Sequence, residues 1–218
     1  MRTHSKIIII AIILLLAGAV DCMVVMTVLG FDFHQLSTVE FVTTTYDIDG
    51  DFDSIDINCR IENIAFAPCK NDKMYVETFA SEEESHTVAV ESGVLIIATK
   101  PAAKKWNFDF YIESPEITIY IPEGEYESLK LESDTGDITI PENFSFADIN
   151  ISVDTGDVNI SGFSNETIYI KTSTGDIALT DITADEINLK TSTGHINLNN
   201  MVCSKDVTTE TKSTVLHG

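Results

Sequence analysis

The chain has 218 residues, 44% of them hydrophobic, and its 35 acidic against 13 basic side chains leave a formal net charge of -22. That length holds one or two domains with a core of ordinary size, and so acidic a surface excludes nucleic acid as an electrostatic partner and repels anionic lipid. All but one acid (Asp21) and two bases (Arg2, Lys6) lie after residue 30, so the charge belongs to the chain beyond the N-terminal segment.

That segment opens with Met-Arg-Thr-His-Ser-Lys and continues as an apolar run from Ile7 to Leu29, interrupted by Asp21, Cys22 and Thr27. As a helix it reaches about 34 Å, enough for the hydrocarbon core of a bilayer. Arg2 and Lys6 precede it and the acidic bulk lies after it, so the positive-inside rule predicts a single-pass anchor with a cytoplasmic N-terminus and an extracytoplasmic remainder. The competing expectation is a cleaved signal peptide with Ile7–Leu16 as its core and Ala17, Gly18 and Ala19 as the small-residue site, giving a secreted protein. Residues 1–30 are thus an anchor or signal, residues 31–53 an extended juxtamembrane stretch, and residues 54–218 a β-strand-repeat domain.

From Ser54 the apolar residues alternate with polar ones: Ile55, Ile57 and Cys59, then Ile64 and Phe66, then Met74, Val76 and Thr78. This predicts a strand meander with turns near 60–63 and 70–73. Ser81–Ser85, with three glutamates, reads as a solvated loop. Val88 and Val90, a turn at 91–93, then Leu95 and Ile97 repeat the pattern. The stretch 101–106 breaks it, and 108–112 and 117–121 resume it. No amphipathic helix of convincing length comes after the anchor.

The clearest order lies in residues 129–218, where one unit of 19 or 20 residues recurs: LKLESDTGDITI from Leu129, INISVDTGDVNI from Ile149, IYIKTSTGDIAL from Ile168 and INLKTSTGHINL from Ile187, with a degraded start at Val207. Alternation at a period of two marks strands with one buried face. Between the two strands of each copy stand Gly136, Gly156, Gly175 and Gly194, the residue type that reaches positive φ without a Cβ penalty. Each copy reads strand, turn, strand, connection. A fixed period near twenty predicts an all-β fold of β-solenoid or β-helix-like type, in which strand-turn-strand coils stack behind the N-terminal helix.

The Asp-Thr-Gly-Asp turns carry the most chemical promise. Asp134, Asp137, Asp154 and Asp157 have the donor type for calcium, and paired acids also serve glycosidases. The copies argue against both. The leading acid becomes Ser173 and Ser192 and the trailing one becomes His195, whereas a metal ladder needs acids in every coil and an active site needs them in one. Turn chemistry needs only Ser, Thr, Asp and Gly. Cys59 and Cys69, ten apart in an exported domain, are candidates for a disulfide, although alternation also makes Cys59 a plain inward residue. No CxxC, GxSxG, HExxH or P-loop is present and the five histidines are dispersed, so no catalytic residue, cofactor or metal is assigned. Lys100, Lys104, Lys105 and Trp106 form one basic, aromatic patch. The outward rows of the repeats, Lys171 with Lys190 and Tyr169 with Asn188, are the candidate display surface.

The run ITIYIPEGEYESLKLESDTGDITI from Ile117, with the repeats of the form IxIxTSTGDIxL after it, resembles the bacterial putative-adhesin β-strand-repeat family, also called the toastrack domain. The resemblance covers residues from about Ile55 onward. It implies a membrane segment before a β-helix-like domain, a place in the cell envelope, and a non-catalytic adhesion, binding or scaffolding role toward an envelope polymer or membrane protein. Some relatives are linked with envelope-stress signalling, which makes an accessory role there the second expectation, ahead of a glycan-active enzyme. The chain departs from the pattern at 207–218, where Lys212, Ser213 and Thr214 replace Ser-Thr-Gly. An uncapped solenoid end open to a partner or to self-association is the corresponding expectation.

Overall fold

The computed structural model describes residues 2–28, 30–31, 39–71, 73–100, 113–162 and 166–212. The N-terminal unit is one helix, α1, Arg2–Val28. Isoleucine, leucine and alanine without proline favour it. It closes on Gly30 (φ 64) and Phe31 (φ 59), where the Phe31 amide donates to the Met26 carbonyl at 2.9 Å and the Gly30 amide to that of Thr27 at 3.2 Å, a Schellman ending. Ile7–Val28, 22 residues with a mean hydropathy of 2.9, is long and apolar enough to cross a membrane, and its side chains stand exposed.

The second unit, from Phe41 onward, is built of strands. In chain order they are β1 Phe41–Asp47, β2 Ser54–Cys59, β3 Asn63–Pro68, β4 Tyr75–Ser81, β5 Ser85–Glu91, β6 Val94–Lys100, β7 Glu116–Ile121 and β8 Gly124–Thr135. After these come β9 Ile138–Ile140, β10 Phe144–Thr155, β11 Val158–Ser161, β12 Thr167–Thr174, β13 Ile177–Thr180, β14 Thr183–Thr193, β15 Ile196–Asn199 and β16 Val202–Thr211. They form two open eight-stranded sheets, the first in the order β1-β4-β7-β3-β9-β11-β13-β15 and the second in the order β16-β14-β12-β10-β8-β2-β6-β5.

The repeats explain this division. In each copy the first strand joins the second sheet, the glycine turn carries the chain across, and the second strand joins the first sheet. Successive copies pair in parallel and in register: Leu129 with Ile149, Ile149 with Ile168, Ile168 with Ile187 and Ile187 with Val207. Beyond the turn Ile138, Val158, Ile177 and Ile196 align likewise. A parallel sheet buried on one face needs this match, because a one-residue slip turns every inward side chain outward. One buried cluster draws Ile55, Leu129, Ile149, Ile168 and Ile187 from one sheet and Ile64, Ile138, Val158 and Ile177 from the other.

The turn glycines are required by contact as well as by conformation. Gly156 has φ 153, and a Cβ on it would meet the Gly136 carbonyl oxygen at 2.0 Å. The same holds for Gly175 over Gly156 and Gly194 over Gly175, each at 2.0 Å, and for Gly136 over the Glu62 carbonyl oxygen at 2.1 Å. The turns therefore stack backbone on backbone in one column.

The region before the repeats differs from a meander. β2 and β3 lie in different sheets and pair in parallel with β8 and β9, so they form a coil of their own, with Cys59 aligned on Ser133 and Ile64 on Ile138. The chain between them and β8 is an excursion. It places β6 parallel to β2 and β7 parallel to β3 and adds antiparallel strands outside them, β5 on β6 and β4 on β7; β1, which precedes β2 in the chain, pairs antiparallel with β4 at the edge. The β5–β6 turn explains one reversal, since Ser92 (φ 53) and Gly93 (φ 82) make the two-residue turn that only an antiparallel hairpin accommodates. Both sheets are consequently mixed and open, where a meander leading into a solenoid stack was expected. β1 also places residues 41–47, read from the sequence as juxtamembrane, inside a sheet. The expected strand at 108–112, the basic patch beyond Lys100 and residues 213–218 lie outside the described residues.

At the other end β16 continues the inward rows with Val207, Thr209 and Thr211, paired with Ile187, Leu189 and Thr191. Polar threonine replaces leucine at Thr209 while Val207 is 49% exposed, so the last described strand is a partly polar, uncovered edge. Leu198 (39% exposed) and Val202 (59%) remain uncovered there.

Gly156→Ala should lower unfolding free energy by about 4 kcal/mol or abolish folding. Gly124→Ala, at φ 154 with nothing within 4 Å of the added Cβ, should cost only the conformational penalty of about 1–2 kcal/mol. Equal losses in urea titrations would remove the backbone column as the reason for the repeated glycine.

Candidate functional site

The trailing residues of the turns form a ladder of their own. Asn63 Oδ1 accepts the Asp137 amide at 2.9 Å, Asp137 Oδ1 that of Asp157 at 2.9 Å, Asp157 Oδ1 that of Asp176 at 2.7 Å, and Asp176 Oδ1 that of His195 at 2.7 Å. Each carboxylate thus satisfies a backbone donor of the next turn, a charge-assisted bond that fastens one coil to its neighbour. The His195 amide, and behind it the His195 ring, hold Asp176 below the ordinary carboxylate range. The leading residues Asp134 and Asp154 are exposed and Ser173 and Ser192 half-buried. Among the described residues no group of three or more His, Cys, Asp or Glu side chains is arranged to hold a metal ion.

Cys59 and Cys69 both carry free thiols. The spacing of ten suggested a hairpin, but the six residues of β3, about 20 Å of strand, lie between them. Cys59 aligns with Ser133 near the end of β8, whereas the Cys69 amide donates to the Ile121 carbonyl at 2.9 Å just before the start of β8, where burial first and Cys69 second push the Tyr126 phenol up to about 12. A disulfide needs Cα atoms within about 7 Å.

The outward rows of the second sheet fall in register as expected. Lys171 pairs with Lys190 and Tyr169 with Asn188. The first row extends through Ser152 and Glu132 on one side and Glu210 on the other, the second through Asn150 and Lys130 and through Thr208. Two of the lysines are already occupied: Lys130 Nζ lies 3.3 Å from Glu132 and 3.8 Å from Asp56, and Lys190 Nζ 3.7 Å from Glu210. Lys171 is exposed with no ion pair among the described residues. The face is polar and of mixed sign.

A polar cluster that alternation alone did not reveal sits under the first coil. Glu62 is fully buried. Its Oε1 accepts the His86 Nε2–H at 2.9 Å and the Thr99 hydroxyl at 2.6 Å, and its Oε2 accepts the backbone amides of Arg60 at 2.9 Å and Ile61 at 2.8 Å. Tyr46 meets the His86 ring edge-on with centroids 6.4 Å apart. The signal was present but faint: aligning Cys59–Ile64 on Ser133–Ile138 puts Glu62 where the four clear repeats have Gly136, Gly156, Gly175 and Gly194.

Cysteine, histidine and glutamate together are the parts of a nucleophilic site, so the electrostatics decide its use. Burial, and then the Glu62 charge, push the Cys59 thiol up to about 12 against the Thr99 hydrogen bond. Such a thiol carries almost no thiolate at neutral pH. Burial also drives Glu62 upward, but the hydrogen bonds from His86, Thr99, Arg60 and Ile61 outweigh it and bring the carboxyl from 4.5 down to about 2. Glu84 on the β4–β5 turn is raised by burial and by Glu62. The cluster is a sealed clamp of hydrogen bonds on the Glu62 carboxylate, joining the β2–β3 corner to β5 and β6, with neither access nor an activated nucleophile.

A carboxyl whose folded pKa is depressed stabilises the fold above its unfolded pKa and loses that contribution as pH falls through the folded value. Glu62→Gln should therefore cost about 3 kcal/mol at neutral pH. The gap from the unaltered protein should close between pH 4.5 and about 2, as read by urea unfolding across that range. A gap that stays constant would show that Glu62 is not the ionised partner.

The chain matches none of the curated proteins with which it was compared. Among solved structures it resembles a "putative cell adhesion protein" from Clostridium sporogenes, with a TM-score of 0.56 at 14% identity over 73% of this chain and 99% of that one. A "putative adhesin" from Bacteroides fragilis gives a TM-score of 0.41 at 17% identity over 78% and 97% of the two chains. The first shares the fold with this protein, and the second is too distant to add to it. The family model Toastrack DUF4097 matches residues 52–212, and the chain belongs to that family.

Proposed function

We propose that this protein is a non-catalytic binding module displayed on the outer face of a bacterial membrane. α1 is its single-pass anchor, and the outer face of the second sheet is the surface offered to an envelope polymer or membrane protein. The parallel coils from Ser54 onward act as a short, rigid solenoid-like scaffold whose strands hold the outward side chains in rows about 4.8 Å apart.

The observation that carries this reading is a contrast. The one cluster with nucleophile chemistry among the described residues is sealed at Glu62 (0% exposed), whereas the exposed chemistry is repetitive: Tyr169 beside Asn188, and Lys171 beside Lys190. Periodic polar rows suit a periodic ligand, because one weak contact per coil repeats along the polymer and the contacts reinforce one another. Arg2 and Lys6 before the apolar run and the acidic residues after it support the orientation. The name borne by the Clostridium sporogenes structure, a putative cell adhesion protein, agrees with the same class of role.

With a tag after Gly218, protease applied to intact cells should remove the tagged domain from a membrane-retained band. A shortened band free in the medium would replace anchorage by secretion, and a full-length protected band would overturn the outward display. Cosedimentation of the full-length protein with purified cell-wall sacculi should fall about tenfold on charge reversal at Lys171 and Lys190 together. Unchanged cosedimentation would remove these rows from the binding face.

A further inference from the structure

A cleft of about 320 Å³ opens where the chain enters the first coil, lined by Asp51, Phe52, Met74, Pro122 and Tyr126. It lies apart from the Lys171–Lys190 row. Two segments distant in sequence are locked together to make it. The Glu127 amide donates to the Asp53 carbonyl at 2.7 Å, and the Tyr126 hydroxyl donates to the Pro122 carbonyl at 2.7 Å. The rings are layered: Phe52 lies nearly parallel to Tyr126 (16°, centroids 6.0 Å), and Tyr126 in turn to Phe146 (28°, 5.4 Å). With its hydroxyl bonded and its far side on buried Phe146, the Tyr126 ring is a rigid wall rather than a mobile surface group.

The walls are aromatic and thioether, and the one charge among them is the carboxylate of Asp51. Asp49 and Asp53 flank Phe52 in sequence, and Glu123, Glu125 and Glu127 flank Tyr126. Among the described residues no basic side chain lines the cleft. The nearest in sequence to a lining residue is Lys73, beside Met74, and its ammonium is held by Asp47 at 2.9 Å. Aromatic faces carry negative electrostatic potential and attract cations, so rings and carboxylates favour the same sign of guest. The volume is at the lower end of small-molecule sites.

We propose that this cleft binds a small organic cation of the quaternary-ammonium type, seated against the Phe52 ring at the end of the Phe52–Tyr126–Phe146 stack with Asp51 as counter-ion. A large, weakly hydrated cation loses little solvation on entering an apolar cleft and still gains from ring and carboxylate. A compact ammonium ion, more strongly hydrated, gains less.

The test is equilibrium dialysis of the full-length protein in a non-ionic detergent against labelled choline. It is repeated with choline's neutral carbon isostere, in which a tert-butyl group replaces the trimethylammonium. Saturable choline binding with a dissociation constant on the order of 1 mM and at least about tenfold weaker binding of the isostere support the proposal. Asp51→Asn, an exposed change that leaves the fold intact, should weaken choline several-fold and leave the isostere unaffected. Phe52→Leu should weaken choline while circular dichroism stays unchanged. Equal binding of choline and isostere would reduce the cleft to an apolar pocket and overturn the proposal, as would absence of saturable binding or indifference to Asp51→Asn. The Lys171, Lys190 charge reversal should leave choline binding unchanged, so this result and that of the sacculus experiment are distinguishable.

Discussion

The structure depends on how closely the backbones of successive turns approach. A Cβ at Gly156 would stand 2.0 Å from the carbonyl oxygen of the turn below, and each turn amide reaches the next coil, as Gly156 does to the Thr174 carbonyl at 2.9 Å. Turns at this spacing bring the flanking strands to hydrogen-bonding distance in both sheets at once. The side chains are placed as a result. Inward rows close into one apolar cluster, outward rows become parallel files, and the aspartates beside the glycines meet the amides of the neighbouring turn. A single glycine per coil thus sets the pairing of two sheets.

The later coils were legible because their chemistry repeats. Alternation located the buried faces of β8 to β14, and the recurrent Gly136, Gly156, Gly175 and Gly194 located the corners. What alternation leaves open is the sheet to which a strand belongs, since an inward row looks the same in either. β2 and β3 therefore read as neighbours in a meander, although Ser54 pairs with Ser128 across the excursion. Length was the hidden variable: a two-residue turn forces the β5–β6 hairpin, while the corner 60–62 is long enough to change sheets. β1 was obscured for another reason. As an edge strand on a mostly polar face, Phe41–Asp47 buries little and presents almost no periodic signal.

The candidate sites divide along the same line. Register predicted the neighbours of Lys171 and Tyr169, because position in a repeat determines position on the face. It could not predict Glu62, whose importance lies in being an exception to the repeat, nor the partners His86 and Thr99 that the excursion brings to it. The aromatic cleft shows the limit again: Phe52 and Tyr126 are far apart in sequence and meet only because β2 lies beside β8. Irregular insertions carry the individual chemistry of this molecule, and the coils carry its regularity.

The aspartate ladder has a consequence for how such a chain changes length. Asp137, Asp157 and Asp176 each hold the amide of the following turn, so every coil presents to the next the same donor and acceptor pattern that it receives. Gain or loss of a whole unit leaves all other contacts in place, whereas gain or loss of one residue within a strand would turn its inward side chains to solvent. The reach of the domain is therefore quantised. Duplication can lengthen it by one strand spacing, about 4.8 Å, at a time, without any redesign of the core.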